Sequence, residues 1–168
     1  MYRFTNILSL AVISLILVSC GIYSFTGASI PPGAKTVSVE YFKNNAPIFN
    51  PTLSQDLTEK LQSKLVSQTS LKLTDGSGDL QFKGQIVDYS VSPAGLVSNE
   101  TAAQNRLTIR VKVEFINEFD QSLNFNQTFT RYQDYPSDKA LAEAESELVP
   151  GIIDQIVDDI FQKAVVNW

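Results

Sequence analysis

The segment from Asn105 to Asn117 constrains the fold more than any other part of this 168-residue chain. Apolar and polar residues alternate along it, and neighbouring side chains of a β-strand point to opposite faces of a sheet. The segment therefore predicts a strand with one buried side, in a sheet that is covered on one face only. The apolar side carries Leu107, Ile109, Val111, Val113 and Phe115, and the polar side carries Thr108, Arg110, Lys112 and Glu114.

Three further strands are expected around this one. Residues 79–91 alternate until Ile86-Val87, where the slip in the pattern indicates a possible β-bulge. Residues 123–132 alternate again after a turn at 118–121, so these two segments and the central one predict an antiparallel meander. Residues 35–42 predict the fourth strand, with Val37, Val39 and Tyr41 on its apolar side. Leu71 to Leu73 is a candidate for one more short strand.

Two helical segments complete the pattern. Asn50-Pro51 is a typical helix start, and four leucines at intervals of four residues then form one apolar stripe that ends near Ser67. A second helical segment begins at Lys139, with Ser137 or Asp138 as its cap. Pro150-Gly151 lies inside this segment, so the sequence predicts that the helix is kinked or divided there. The leucine stripe consists of Leu53, Leu57, Leu61 and Leu65.

These elements predict an α+β fold. Each strand has one apolar face and each helix has one apolar stripe, so the economical arrangement is a two-layer sandwich. We expect a four-stranded mixed sheet with two helices packed on one face. The other face of the sheet is polar, and an uncovered sheet face or edge is where a partner can bind.

The N-terminus carries an export signal. The uncharged apolar run from Ile7 to Val18 follows Arg3 and ends just before Ser19-Cys20, and it is shorter than the roughly 20 apolar residues of a membrane-spanning helix. We expect a signal peptide at 1–19, a tether at 20–33 and a single domain at 34–168. Cys20 is the only cysteine, and its setting resembles a bacterial lipobox, which implies lipidation. An ordinary secretory signal and a retained membrane anchor are the alternatives.

Composition excludes several classes of function. The chain has no histidine and one cysteine, so His/Cys metal sites and Cys–His or Ser–His catalysis are excluded, and no cofactor is expected. A formal net charge of −5 disfavours nucleic-acid binding. The carboxylates near the C-terminus are interpreted as a solvated helix face, although a small envelope hydrolase that uses them is an alternative. They are Glu143, Glu145, Glu147, Asp158 and Asp159.

The polar side of the sheet carries the candidate binding residues. Lys83, Arg110 and Lys112 project from it if the strands alternate as expected, and they could contact phosphates or carboxylates of an envelope lipid. Arg106 and Arg131 lie near the strand ends. The alternative is that these cations only keep the sheet soluble and discourage pairing with other sheets.

The whole mature chain resembles the LptE-type lipopolysaccharide-assembly lipoproteins, in the form seen in Bacteroidetes. The resemblance rests on the order of elements and on four segments, which are residues 20–27 at the anchor, residues 30–37, the helix start at 50–53 and the ending at 161–168.

The resemblance implies a non-enzymatic lipoprotein on the periplasmic side of the outer membrane. Ile22, two residues after Cys20, fits outer-membrane sorting, and an acidic run for surface export is missing after Cys20. The implied partners are lipopolysaccharide and an LptD-like β-barrel translocon, which such proteins plug and help to assemble. The alternative is an envelope scaffold or lipid carrier that has no barrel partner.

Overall fold

A computed structural model describes residues 30–94 and 103–166. The predicted signal peptide, Cys20, most of the predicted tether and the middle of the loop after residue 93 lie outside the described residues. The described elements follow the chain in the order β1 Thr36–Val39, β2 Lys43–Asn44, α1 Leu53–Gln68, β3 Lys72–Leu73, β4 Leu80–Pro93, β5 Gln104–Asn117, a 3₁₀ turn Gln121–Leu123, β6 Phe125–Pro136 and α2 Leu141–Val165.

The strands form one mixed sheet in the order β3-β1-β4-β5-β6, and β2 pairs with β4 beyond the end of β1. β1 is parallel to both of its neighbours, and β2 is parallel to β4. β4, β5 and β6 form the predicted antiparallel meander. The β5–β6 pairing runs without a shift, whereas the β4–β5 register shifts between Ile86 and Asp88, where the sequence indicated a bulge.

Both helices pack on the same face of this sheet, as predicted, and one core cluster lies between the two layers. The leucine stripe of α1 is fully buried, and the predicted apolar side of β5 faces the same core. The α+β class and the two layers are therefore confirmed. Among the described residues, the structure contains no helix that combines the length and the apolarity needed to span a membrane.

The predicted number of strands is wrong, because the described sheet has six strands instead of four. The two additional strands, β2 and β3, are each two residues long. β3 is the short strand that Leu71 to Leu73 suggested. A strand of two residues is too short to show an alternation of apolar and polar side chains. β2 and β3 form because they pair with β4 and β1, and this pairing cannot be read from the local sequence.

The predicted strand at 35–42 is also shorter than expected. β1 ends at Val39, and Tyr41 is 58% exposed instead of lying on the apolar face. Phe42 is fully buried in its place and packs over Gly84 of β4. The chain is not a regular strand between β1 and β2, so the alternation of inward and outward side chains shifts by one residue there. As a result Phe42 faces the core and Tyr41 faces solvent.

The helix starts differ from the predictions by a few residues. α1 begins at Leu53, so Pro51 precedes the helix, but the side chain of Asn50 still accepts hydrogen bonds from the backbone N–H groups of Thr52 and Leu53 at 3.1 Å each. α2 begins at Leu141, and Ala140, which precedes it, offers no side-chain cap. Neither Ser137 nor Asp138 therefore caps it.

Pro150 does not divide the C-terminal helix. α2 continues through it as one element of 25 residues. A proline in this place removes one helical hydrogen bond, and the buried residues on both sides of it keep the helix on the sheet. Tertiary packing thus overrides the local preference for a break.

Candidate functional site

The uncovered polar face of the sheet is the candidate site, and we call it the open sheet face. It lies opposite the helices, and its side chains alternate with those of the core along three long strands. Its residues are Lys83, Gln85, Asp88, Ser90 and Ser92 on β4, Arg106, Thr108, Arg110, Lys112 and Glu114 on β5, and Asn126, Thr128, Thr130, Tyr132 and Asp134 on β6.

All three predicted cations lie on this face, but two of them form ion pairs. Lys83 Nζ lies 3.3 Å from Glu40 Oε1, and Arg110 Nη2 lies 3.1 Å from Asp88 Oδ2. Both cationic side chains are substantially exposed, so these pairs contribute little to stability. Their main effect is to neutralise charge that would otherwise attract an anion.

The bulge in β4 creates the pair between Asp88 and Arg110. Strict alternation from Ile86 would direct Asp88 into the core, and the extra residue at the bulge returns it to the open sheet face opposite Arg110. The same shift turns Tyr89 inward, where its hydroxyl donates a 2.5 Å hydrogen bond to Glu145 of α2. Burial, followed by this carboxylate, raises the pKa of Tyr89 well above its ordinary value of 10.0.

Lys112 is in a different position from the other two cations. It takes part in no ion pair within residues 30–94 and 103–166, and it is exposed. It lines a shallow concavity of about 260 Å³ together with Lys83, Gly84, Gln85, Glu114 and Asn126. This concavity brings two ammonium groups and two amides to one place, which suits hydrogen bonding to an anionic oxygen, while Glu114 limits its net positive charge.

A second polar cluster on this face was missed by the sequence analysis, which placed Arg106 only near a strand end. Arg106 donates two hydrogen bonds to Asp134, at 2.7 and 2.9 Å, and its guanidinium carbon lies 3.7 Å from the centre of the Tyr132 ring. The bidentate hydrogen bonds raise the pKa of Arg106 and lower the pKa of Asp134. Only the register between β5 and β6 could have revealed this cluster.

Arg131, the other arginine near a strand end, lies on the helix side of the sheet. Its guanidinium donates two hydrogen bonds of 2.6 Å to Asp159 of α2. It therefore connects the edge strand to the helix layer and does not belong to the open sheet face.

The C-terminal carboxylates mostly serve as structural partners. Glu145 accepts the hydrogen bond from Tyr89, Glu147 pairs with Lys139 at 2.9 Å, Asp158 pairs with Lys64 at 2.6 Å and Asp159 binds Arg131. In the part of the chain that the structure describes, no group of three or more His, Cys, Asp or Glu side chains is placed to hold a metal ion.

Two solved structures illustrate the fold. A hypothetical protein from Chlamydia trachomatis has a TM-score of 0.55 at 8% identity, and the match covers 80% of this chain and 99% of that one. A minor lipoprotein from Acinetobacter baumannii has a TM-score of 0.50 at 17% identity, over 77% of this chain and 91% of that one. At these identities the similarity shows the fold alone.

Comparison with sequences is more specific about the family. No curated protein matches this chain. The family model described as LptE, lipopolysaccharide-assembly, matches residues 34–164. This range begins two residues before β1 and ends in the last turn of α2, so it includes every strand and helix of the described fold. The chain therefore belongs to the LptE family of lipopolysaccharide-assembly proteins.

Proposed function

We propose that this protein is a non-enzymatic lipoprotein, anchored through Cys20 to the periplasmic side of the outer membrane. It binds and plugs an LptD-like β-barrel translocon, assists the assembly of that barrel, and contacts lipopolysaccharide during insertion into the outer membrane. The observation that carries the proposal is the family match over residues 34–164.

Two features of the structure support a binding role over catalysis. The open sheet face is a broad polar surface that neither helix covers, as expected of a surface that meets a partner. Four of the five carboxylates that a hydrolase could use are instead held in ion pairs with Lys64, Arg131 and Lys139, or bonded to Tyr89.

Lys83, Arg110 and Lys112 remain the proposed lipopolysaccharide contacts, and Lys112 is the first of them to test. An anion that approaches Lys83 or Arg110 has to compete with Glu40 or Asp88. Replacing Lys83 or Arg110 by glutamate would also place the new carboxylate next to Glu40 or Asp88. The repulsion between the two carboxylates could disturb the sheet, and a loss of binding could then have this cause instead. Lys112 avoids both difficulties.

We expect Lys112→Glu to weaken lipopolysaccharide binding about fivefold, since it replaces one exposed charge-assisted contact by a repulsion. Titration of the purified chain with lipopolysaccharide at low and high salt measures the effect, which added salt should reduce. Lys72→Glu on β3 is the matched control, because it makes the same charge change at an exposed lysine on the opposite edge of the sheet, outside the concavity. Equal affinities of the two variants would exclude Lys112 from the contact.

The barrel partner is tested by extraction in mild detergent. A tagged full-length chain purified from native membranes should bring down one large β-barrel protein in near-equal amount. The Cys20→Ala variant, which removes the proposed anchor, should recover much less of it. Recovery of the tagged chain without a barrel would reject the translocon role and favour the scaffold or lipid-carrier alternative.

A further inference from the structure

β6 is a long strand at one edge of the sheet. It has 12 residues, and within residues 30–94 and 103–166 its only partner is β5, whereas the opposite edge of the sheet is formed by the two-residue strand β3. Native proteins usually protect such edges with lysines, prolines, bulges or short strands. β6 has no bulge in its pairing, carries no charge before Arg131, and has its only proline at the final position, Pro136.

A groove runs beside this edge on the helix side of the sheet. It lies between β6 and the last turns of α2, and its volume is about 460 Å³, within the roughly 300–1,000 Å³ of typical binding clefts. Phe129 and Val166 give it apolar surface, and the Arg131–Asp159 pair, Gln162 and Lys163 provide a polar rim. The edge and the groove together suit an added strand whose alternate side chains enter the groove.

The chain enters the domain at the same end of the fold. Pro31 to Ala34 form a turn closed by a 3.1 Å hydrogen bond, and Gly33 has a φ of 105° in this turn. A Cβ on Gly33 would lie 3.0 Å from Phe119, which belongs to the connection between β5 and β6. Ile30 packs against the core just before this turn. Phe125 begins β6 beyond the same connection, so the segment before Ile30 starts at the same end of the sheet as β6.

Residues 21–29 have a sequence that matches the groove. They read Gly-Ile-Tyr-Ser-Phe-Thr-Gly-Ala-Ser, without a charge, and Tyr23 and Phe25 alternate with Ser24 and Thr26. In an extended strand, the two aromatic side chains would lie on one side and the two hydroxyls on the other. The seven Cα-to-Cα steps from Tyr23 to Ile30 can reach about 23–25 Å, which is enough to follow β6 from Phe125 to Arg131, about 20 Å.

We propose that residues 22–26 add to β6 as an antiparallel edge strand and place Tyr23 and Phe25 in the groove between β6 and α2. The direction follows from the entry of the chain at the Phe125 end of β6. The aromatic rings pack on Phe129 and Val166, and the guanidinium of Arg131 can lie over one of them. The segment thereby covers an edge that would otherwise remain open, and it fixes the position of Cys20 relative to the domain.

Disulfide trapping in the purified full chain in detergent tests this arrangement. Ser24→Cys is combined in turn with Asn126→Cys, Thr128→Cys or Thr130→Cys, which scan the exposed side of β6. One of these pairs should bring its Cα atoms within the roughly 4.4–6.8 Å that a disulfide requires and should form an intramolecular bond. Each single-cysteine variant controls for reaction with Cys20.

Ser24→Cys with Ser92→Cys is the matched control. Ser92 is exposed on the same face, but it lies on β4, three strand spacings or about 14 Å from an added strand. The best β6 pair should therefore cross-link at least about tenfold faster than this control. Equal rates for all pairs would overturn the proposal, and cross-links only between molecules would replace it with pairing between two copies.

Hydrogen exchange gives a second, independent readout. In the wild-type chain, outward-facing amides of β6 should exchange about tenfold more slowly than in the double variant Tyr23→Ser/Phe25→Ser. Phe49→Ser is the control, because Phe49 is a 75% exposed aromatic residue away from the groove. Unchanged exchange of β6 in the double variant, or protection that appears only when another protein is added, would contradict the proposal. Neither measurement depends on the presence of a barrel partner.

Discussion

At the scale of single residues, Gly84 allows Phe42 to pack across β4 where no larger residue fits. A Cβ at this position would lie 2.4 Å from the carbonyl oxygen of Lys112 and 2.6 Å from Cε1 of Phe42. We expect Gly84→Ala to lower the free energy of unfolding by about 2 kcal/mol, because backbone and ring must both shift. Urea titration measures this change.

Gly76 provides the control for this substitution. An added Cβ there meets nothing within 4 Å, and Gly33 is the only described glycine with a positive φ. Gly76→Ala should therefore change the unfolding free energy by less than about 0.5 kcal/mol. Similar losses in both variants would show that crowding at Gly84 is not the cause.

Asp79 ties the start of β1 to the start of β4. Its Oδ2 accepts hydrogen bonds from the Lys35 N–H at 2.8 Å, the Thr36 N–H at 2.9 Å and the Thr36 hydroxyl at 2.8 Å. These hydrogen bonds hold the pKa of Asp79 below its ordinary value of 3.8, and the bond from the Lys35 N–H has the largest effect. The stabilisation is therefore complete above pH 3.8 and is lost as the pH falls through the lower pKa of the folded state.

We expect Asp79→Asn to lower the urea midpoint at about pH 7, because the amide keeps an acceptor but loses the charge. The difference from the wild-type chain should shrink as the pH falls below 3.8 and through the lower pKa of the folded state, because the wild-type carboxyl then becomes protonated too. Asp75→Asn, an exposed position in the preceding turn, serves as the control. A difference that stays constant with pH would mean that charge is not involved.

At the scale of elements, the long strands and the helices could be predicted because each has a regular apolar period. β5 was predicted within one residue of its bounds, and the bulge in β4 was visible as a slip in alternation. The short strand β2 left no pattern, β3 was only a candidate, and of the two outcomes expected at Pro150, a kink or a division, the division does not occur. In both cases contacts with distant parts of the chain decide the outcome, and such contacts leave no local pattern.

The candidate site shows the same limit. Alternation alone placed Lys83, Arg110 and Lys112 on one face, as the register confirms. It could not show that Glu40 and Asp88 neutralise two of them, because one partner depends on the parallel pairing of β1 and the other on the bulge. Whether these cations bind lipopolysaccharide stays a prediction.

At the scale of the whole molecule, the position of the proposed anchor limits how the domain can meet the membrane. The ten Cα-to-Cα steps from Cys20 to Ile30 reach at most about 33–36 Å, whereas the hairpin of β4 and β5, with 14 residues in each strand, is about 46 Å long. Ile30 lies at the end of the sheet that holds the connection between β5 and β6. In an anchored chain, the end of the sheet with the β5–β6 connection, or the β6 edge, would therefore lie nearer to the membrane than the end with the loop between β4 and β5.

Such an orientation requires a lipid on Cys20, which intact mass measurement of the membrane-extracted chain can test. We expect the chain to begin at Cys20 and to carry extra mass from acyl groups, each buried methylene of which contributes about 0.8 kcal/mol to membrane binding. Cys20→Ala should carry no acyl mass and should retain residues 1–19, whereas Ser19→Ala should still be cleaved and acylated. A mature chain that begins elsewhere and has no added mass would rule out the anchor and leave an ordinary secreted domain.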